Sequence, residues 1–192
     1  MQYVKCVIVG DKGVGKTSML MEYMTNRYSL DYIPSVFPNT CTARIEVDSN
    51  QVALGLSDTT EEGDYNDQRL LSYPQTDVFI VCFSISNPTS FANVKWKWFP
   101  ELWTYSPGTP IIIVGTKADQ RDDHYTISRL KEAGVKLVTQ EQASEMAKEL
   151  KGVSYVECSS LTKAGLKGVF VTAARAALNP PSVKKSKICQ LT

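Results

Sequence analysis

Four short stretches of the chain are apolar almost without interruption: Tyr3 to Val9, Val78 to Ser84, Ile111 to Gly115 and Ser154 to Cys158. Runs of this length, rich in valine and isoleucine, predict parallel strands buried on both faces. Between them, Gly15 to Asn26, Thr89 to Trp103, Thr139 to Leu150 and Leu166 to Leu178 show the three-and-four spacing of helices with one apolar stripe. Two further runs, Thr42 to Asp48 and Gln51 to Ser57, flank Ser49-Asn50 and predict a hairpin. Alternating strands and helices build a doubly wound α/β domain. The expectation is a six-stranded, mostly parallel sheet with one antiparallel edge strand and helices on both faces. Ligands in such sheets sit beyond the carboxyl ends of the strands.

The first strand runs directly into Gly10 to Thr17, GDKGVGKT, and a helical stretch follows. This is the phosphate-cradling pattern G-x-x-x-x-G-K-[ST] in its required context, the P-loop of nucleotide triphosphatases. Glycines let successive backbone N–H groups turn inward as an anion nest at the positive end of a helix. Lys12, Gly13, Val14, Gly15, Lys16, Thr17 and Ser18 are therefore candidate phosphate contacts. Lys16 reaches the outer phosphates and the Thr17 hydroxyl is a ligand for the accompanying Mg²⁺. A second motif, Thr116-Lys117-Ala118-Asp119, leaves the run at Ile111. It resembles the guanine-selecting [N/T]-K-x-D motif of small GTPases. Asp119 would accept two hydrogen bonds from guanine, and Lys117 would lay its alkyl stem along the ring. Adenine lacks that donor pair, so a buried carboxylate would be stranded, which supports discrimination of about 10⁴-fold or more.

Composition narrows the class. The chain has 192 residues, 43% apolar and 21% charged, enough for one core. A net charge of +1 gives no basic field for nucleic acid. The five cysteines are an odd count, against a disulfide framework, and Cys6, Cys82 and Cys158 fall in apolar runs as core residues. No secretory signal and no apolar stretch of about eighteen residues is present, so the expected setting is the cytosol. The single histidine, His124, lies in a polar stretch and is expected to be solvated, against histidine catalysis. At least one of Trp96, Trp98 and Trp103 is expected to pack in the core.

Taken end to end, the chain resembles a Rho/Rac-type small GTPase of the Ras superfamily. Tyr32, Ile33, Pro34, Ser35, Val36 and Phe37 resemble switch I, the effector-binding loop. The stretch Leu71-Ser72-Tyr73-Pro74-Gln75-Thr76-Asp77-Val78-Phe79 is close to a family signature. Arg121-Asp122-Asp123 through Leu137 matches the helical insert of Rho proteins, and Glu157-Cys158-Ser159-Ser160-Leu161 matches a third base-contacting loop. The resemblance implies GTP and GDP as ligands and Thr17 and Ser35 as Mg²⁺ ligands, with Asp58 acting through water. Ser159, Ser160 and Leu161 would meet the guanine oxygen. It further implies effectors on switch I, exchange factors and a lipid-binding dissociation inhibitor as partners, and a monomer.

Several positions depart from the family. After Asp58-Thr59 the family continues Ala-Gly-Gln-Glu, whereas this chain reads Thr60-Glu61-Glu62-Gly63. Glu61 replaces the glycine that contacts the γ-phosphate, and Glu62 replaces the glutamine that orients water. A carboxylate has no amide donor and sets negative charge beside an anion, although it also serves as a general base. Lys12 replaces a glycine, occupying space an arginine finger needs. Ser35 replaces a threonine, and Ser57 a tryptophan read by exchange factors. Slow hydrolysis is the expectation, with an ordinary cycling switch as the alternative.

The tail begins at Pro180-Pro181. Lys184, Lys185 and Lys187 precede Cys189-Gln190-Leu191-Thr192, which resembles a prenylation box. The expected organisation is a nucleotide-binding domain over 1–178 and a basic, lipid-bearing tail over 179–192. One lipid plus three lysines, roughly 1 kcal/mol each at an anionic leaflet, predicts reversible residence on the cytoplasmic face of a membrane.

Overall fold

The opening apolar run forms the central strand, β1 (Gln2–Gly10), in the computed structural model, which describes residues 1–25, 40–59, 66–152 and 154–180. The switch I stretch with Ser35, Glu61 and Glu62, and the tail with Lys184, Lys185, Lys187 and Cys189 lie outside the described residues. β1 is flanked by β3 (Asn50–Asp58) and β4 (Val78–Ser84), both parallel to it. β2 (Thr40–Val47) closes one edge antiparallel to β3, while β5 (Ile111–Thr116) and β6 (Ser154–Glu157) extend the other side in parallel. The order β2-β3-β1-β4-β5-β6, with one antiparallel edge, is the expected sheet.

Alternation along β1 divides the core. Cys6 and Ile8 face one layer with Leu54, Ile80, Val114 and Phe170, under α1 (Lys16–Thr25) and α7 (Leu166–Leu178). Val7 and Val9 face the other with Phe79, Val81, Ile113 and Trp98, under α3 (Pro88–Asn93), α4 (Phe99–Tyr105) and α6 (Gln140–Glu149). Cys6, Cys82 and Cys158 are all buried in the first layer. The short α2 (Asn66–Leu71) precedes β4. Among the described residues no helix is long and apolar enough to cross a membrane.

Three local expectations shift. The hairpin turns on Asp48-Ser49, not Ser49-Asn50, because Val47 pairs with Asn50. Both turn residues have positive φ, 50° and 65°, the signature of a two-residue turn whose twist matches the strands. The single helix expected from Thr89 to Trp103 is divided by a π-helical turn, Val94–Trp98. Pro100 explains it: proline lacks a donor, and its ring would collide with the carbonyl four residues back. The amide of Phe99 bonds instead to the carbonyl of Val94, five residues back. The third shift concerns the polar insert, which is helical only over α5 (His124–Glu132), with Asp123 capping it through the Thr126 amide at 3.0 Å. His124 is exposed at the start of α5, as expected.

Candidate nucleotide-binding site

The loops that carry the predicted site leave one edge of the sheet, since β1, β3, β4, β5 and β6 all end there. β1 gives way to the glycine-rich loop at Gly10, where φ is 144° and any Cβ would run into the Cys82 carbonyl of β4. Gly13 adopts a φ of 76°, and a Cβ there would meet nothing, so the backbone conformation itself demands glycine. The loop opens into α1, whose Met19 amide bonds to the Gly15 carbonyl. Lys16 starts that helix and folds back under the loop, its ammonium donating to the carbonyls of Gly10 at 2.6 Å and Asp11 at 2.8 Å. Val14 is buried, Ser18 is half-buried, and Lys12 is exposed.

At the end of β3, Asp58 meets the next residue of α1. The Thr17 hydroxyl donates to Asp58 Oδ2 at 2.6 Å, whereas the buried Oδ1 accepts no hydrogen bond from a described residue. Burial raises the Asp58 carboxyl above its ordinary pKa, and the Thr17 hydroxyl and the Lys16 charge oppose that rise. A buried carboxylate with a spare oxygen beside a hydroxyl is a hard oxygen donor set, which fits Mg²⁺ shared with phosphate oxygens and water.

The base side is built on β5 and the loop after β6. The Thr116 hydroxyl is buried and contacts two carbonyls, Val14 at 2.5 Å and Phe83 at 2.9 Å, tying the end of β5 to the phosphate loop. Lys117 turns left-handed, with φ 60°. Its ammonium donates to the Gly13 carbonyl at 2.8 Å, so the two motifs are joined directly. Burial pulls the Lys117 pKa down, against the attraction of Asp119. Asp119 Oδ1 accepts from the Ser159 hydroxyl at 2.5 Å, and Ser159 is itself fully buried, its amide bonded to the Ala164 carbonyl. Ser160 is half-buried and Leu161 exposed on the same loop.

Thus Lys12 to Ser18, Asp58, Thr116, Lys117, Asp119 and Ser159 to Leu161 converge on one edge of the sheet.

Two supports carry no signal in the linear motifs. Asp11, inside the phosphate loop, accepts from Trp98 Nε1 at 2.7 Å and from Asn93 Nδ2 at 2.6 Å. Trp98 is the core tryptophan, while Trp96 and Trp103 are exposed. Glu157 gathers Arg121, the Tyr155 hydroxyl and Gln140 Nε2, and so braces the 3₁₀ turn Ala118–Arg121 that presents Asp119. The Arg121 pairing keeps the Glu157 carboxyl below its ordinary range despite burial. Compared with known families, the chain matches the model of the Ras family over residues 5–179.

Proposed function

This chain belongs to the Ras family of small GTPases, and we propose that it is a Rho/Rac-type member whose GTP-bound state is long-lived. As a Ras-family protein it has a GTP-binding, signalling role, and members bind GTP and GDP, generally with Mg²⁺, and engage effectors and regulators. The observation that carries the guanine reading is the join between the motifs: Lys117 on the Gly13 carbonyl, next to an Asp119 fixed by Ser159. In that arrangement Asp119 is half-buried and already oriented, so guanine completes its hydrogen bonds and adenine does not.

The remaining roles follow from donors and charge. Lys16 would transfer its ammonium contacts from loop carbonyls to the outer phosphates, while Lys12, Gly13, Val14, Gly15 and Ser18 contribute the rest of the anion nest. Thr17 and Ser35 would ligate Mg²⁺ and Asp58 would hold it through water; the ion supplies positive charge against the phosphates. The helical insert supports the Rho-type assignment. Lys12, Glu61 and Glu62 support slow hydrolysis. Effectors bind at Tyr32 to Phe37. The nucleotide-binding domain covers 1–178, and the tail takes a monomeric protein to the cytoplasmic face of a membrane through Cys189 and Lys184, Lys185 and Lys187.

Competition binding tests the core of this reading. Labelled GDP should be displaced by GTP and GDP at low concentration and by ATP only at about 10⁴-fold higher concentration. Asp119→Ala should abolish both affinities. Equal competition by ATP would exclude a guanine-specific site.

A further inference from the structure

Glu22 lies six residues beyond Lys16 on α1, and its side chain is fully buried. Carboxylates are almost never fully buried unless paired. The opposite charge facing it is the Lys163 ammonium, 3.1 Å from Oε1, on a side chain that is 51% exposed. This is a charge contact without an aligned hydrogen bond: neither Glu22 oxygen accepts one from a described residue. Lys163 belongs to the loop after β6, held in a left-handed conformation with φ 65°. The same loop carries Ser159, whose hydroxyl bonds to Asp119 and accepts the Thr162 amide at 3.1 Å.

One ion pair therefore spans from the helix that starts at the phosphate loop to the loop that fixes the guanine-selecting carboxylate. We infer that Glu22 and Lys163 are positioning residues that couple the phosphate side of the site to the base side and set how slowly guanine nucleotide leaves. The inference rests on the guanine-nucleotide reading above. The coupling is asymmetric. Glu22 has no access to water, so losing Lys163 strands a buried charge, which is relieved by moving α1 or the base loop apart. Losing the Glu22 charge strands no buried charge, because the Lys163 side chain is half exposed. Neighbouring packing does not replace the pair. Tyr23 stacks on Phe170 with centroids 3.9 Å apart, which holds α1 to α7 and not to the base loop.

The test is release of a fluorescent GDP analogue from the full-length chain in Mg²⁺, for single and double variants. Lys163→Met should speed release roughly tenfold or more, and Glu22→Gln only a few-fold, given the cost of an uncompensated buried charge. The double variant should release more slowly than Lys163→Met alone, because the stranded charge is gone. Lys163→Arg should stay within about twofold of the unmodified protein, since it keeps the charge. Added salt should speed release from the unmodified protein and leave the double variant unchanged, because Lys163 is open to screening.

A pair that merely stabilised the fold would lower the urea midpoint in each variant but leave release, and its salt response, at the unmodified values. That result would overturn the proposal, as would a double variant whose rate is the product of the singles. A chain that bound no GDP at all would instead overturn the guanine-nucleotide reading.

Discussion

Trp98 Nε1 donates to Asp11 Oδ1 over 2.7 Å, so a core indole from the π-helical turn holds a side chain of the phosphate loop. Asn93, one turn earlier, takes the other oxygen at 2.6 Å. Both oxygens of Asp11 are thereby occupied, which leaves its backbone carbonyl to the Lys16 ammonium. Trp98→Phe keeps most of the buried bulk and removes only the donor. The expected loss is about 1–3 kcal/mol in urea unfolding, the penalty of a half-buried acceptor left unpaired. GDP release should quicken in the same variant. Unchanged stability and release would show that the indole contact does not hold the loop.

Two ion pairs on neighbouring turns give an internal comparison. Arg69 and Glu101 have side chains 5% and 18% exposed, and the Tyr73 hydroxyl adds a third bond to the same carboxylate at 2.5 Å. Burial and the Glu101 charge together push the Tyr73 phenol above its ordinary pKa. Lys95 and Glu149 are 30% and 57% exposed and are screened by solvent. Glu101→Gln should therefore cost about 2–4 kcal/mol, because the buried Arg69–Glu101 pair loses its carboxylate charge. Glu149→Gln should cost under about 0.5 kcal/mol. Equal losses in chemical denaturation would mean that burial does not set the strength of these pairs.

Asp58 makes a prediction in pH. Its folded pKa lies above the unfolded value because of burial. The folded protein then holds the proton more tightly than the unfolded chain, and that stabilising contribution is complete below the unfolded carboxyl value, about 3.9. It is lost as pH rises through the raised folded value, so at neutral pH the ionised group destabilises the metal-free fold. Asp58→Asn keeps an acceptor for Thr17 without the charge. In chelator the variant should be more stable at pH 7, with the advantage vanishing below the carboxyl range. With Mg²⁺ and GTP the order should reverse. A variant already less stable at pH 7 in chelator would refute the burial argument.

The strands and the two nucleotide motifs are legible because each is written locally. Burial on both faces leaves runs such as Ile111 to Val114, and a nest of amides needs glycine at Gly13 within a few residues of Lys16. The Asp48-Ser49 turn is less legible, since one residue of register separates it from Ser49-Asn50 and all three residue types tolerate turns. The π turn is implied by Pro100 but its position is set by which carbonyl Phe99 reaches. The Asp11–Trp98 and Glu22–Lys163 contacts have no linear trace at all. Their partners lie on different elements, the phosphate loop and the π-helical turn in one case and α1 and the loop after β6 in the other, and only tertiary packing brings them together.

The most demanding prediction concerns hydrolysis. Three positions motivate it: Lys12 in the space of an incoming arginine, Glu61 in place of a glycine N–H contact, and Glu62 in place of a water-orienting amide. By family resemblance all three surround one γ-phosphate, so their effects are coupled. By the same resemblance Lys12 would compensate the Glu62 charge, so Lys12→Gly alone should expose an uncompensated carboxylate and fail to restore activity. The combined change Lys12→Gly, Glu61→Gly, Glu62→Gln should raise hydrolysis stimulated by a Rho-type activating protein by ~10³-fold or more, the usual contribution of the finger. Single-turnover GTP hydrolysis with and without that protein reads the result. If the unmodified chain already hydrolyses GTP at an ordinary stimulated rate, the long-lived GTP state is wrong. The protein is then a cycling switch in which the Glu62 carboxylate acts as general base toward water.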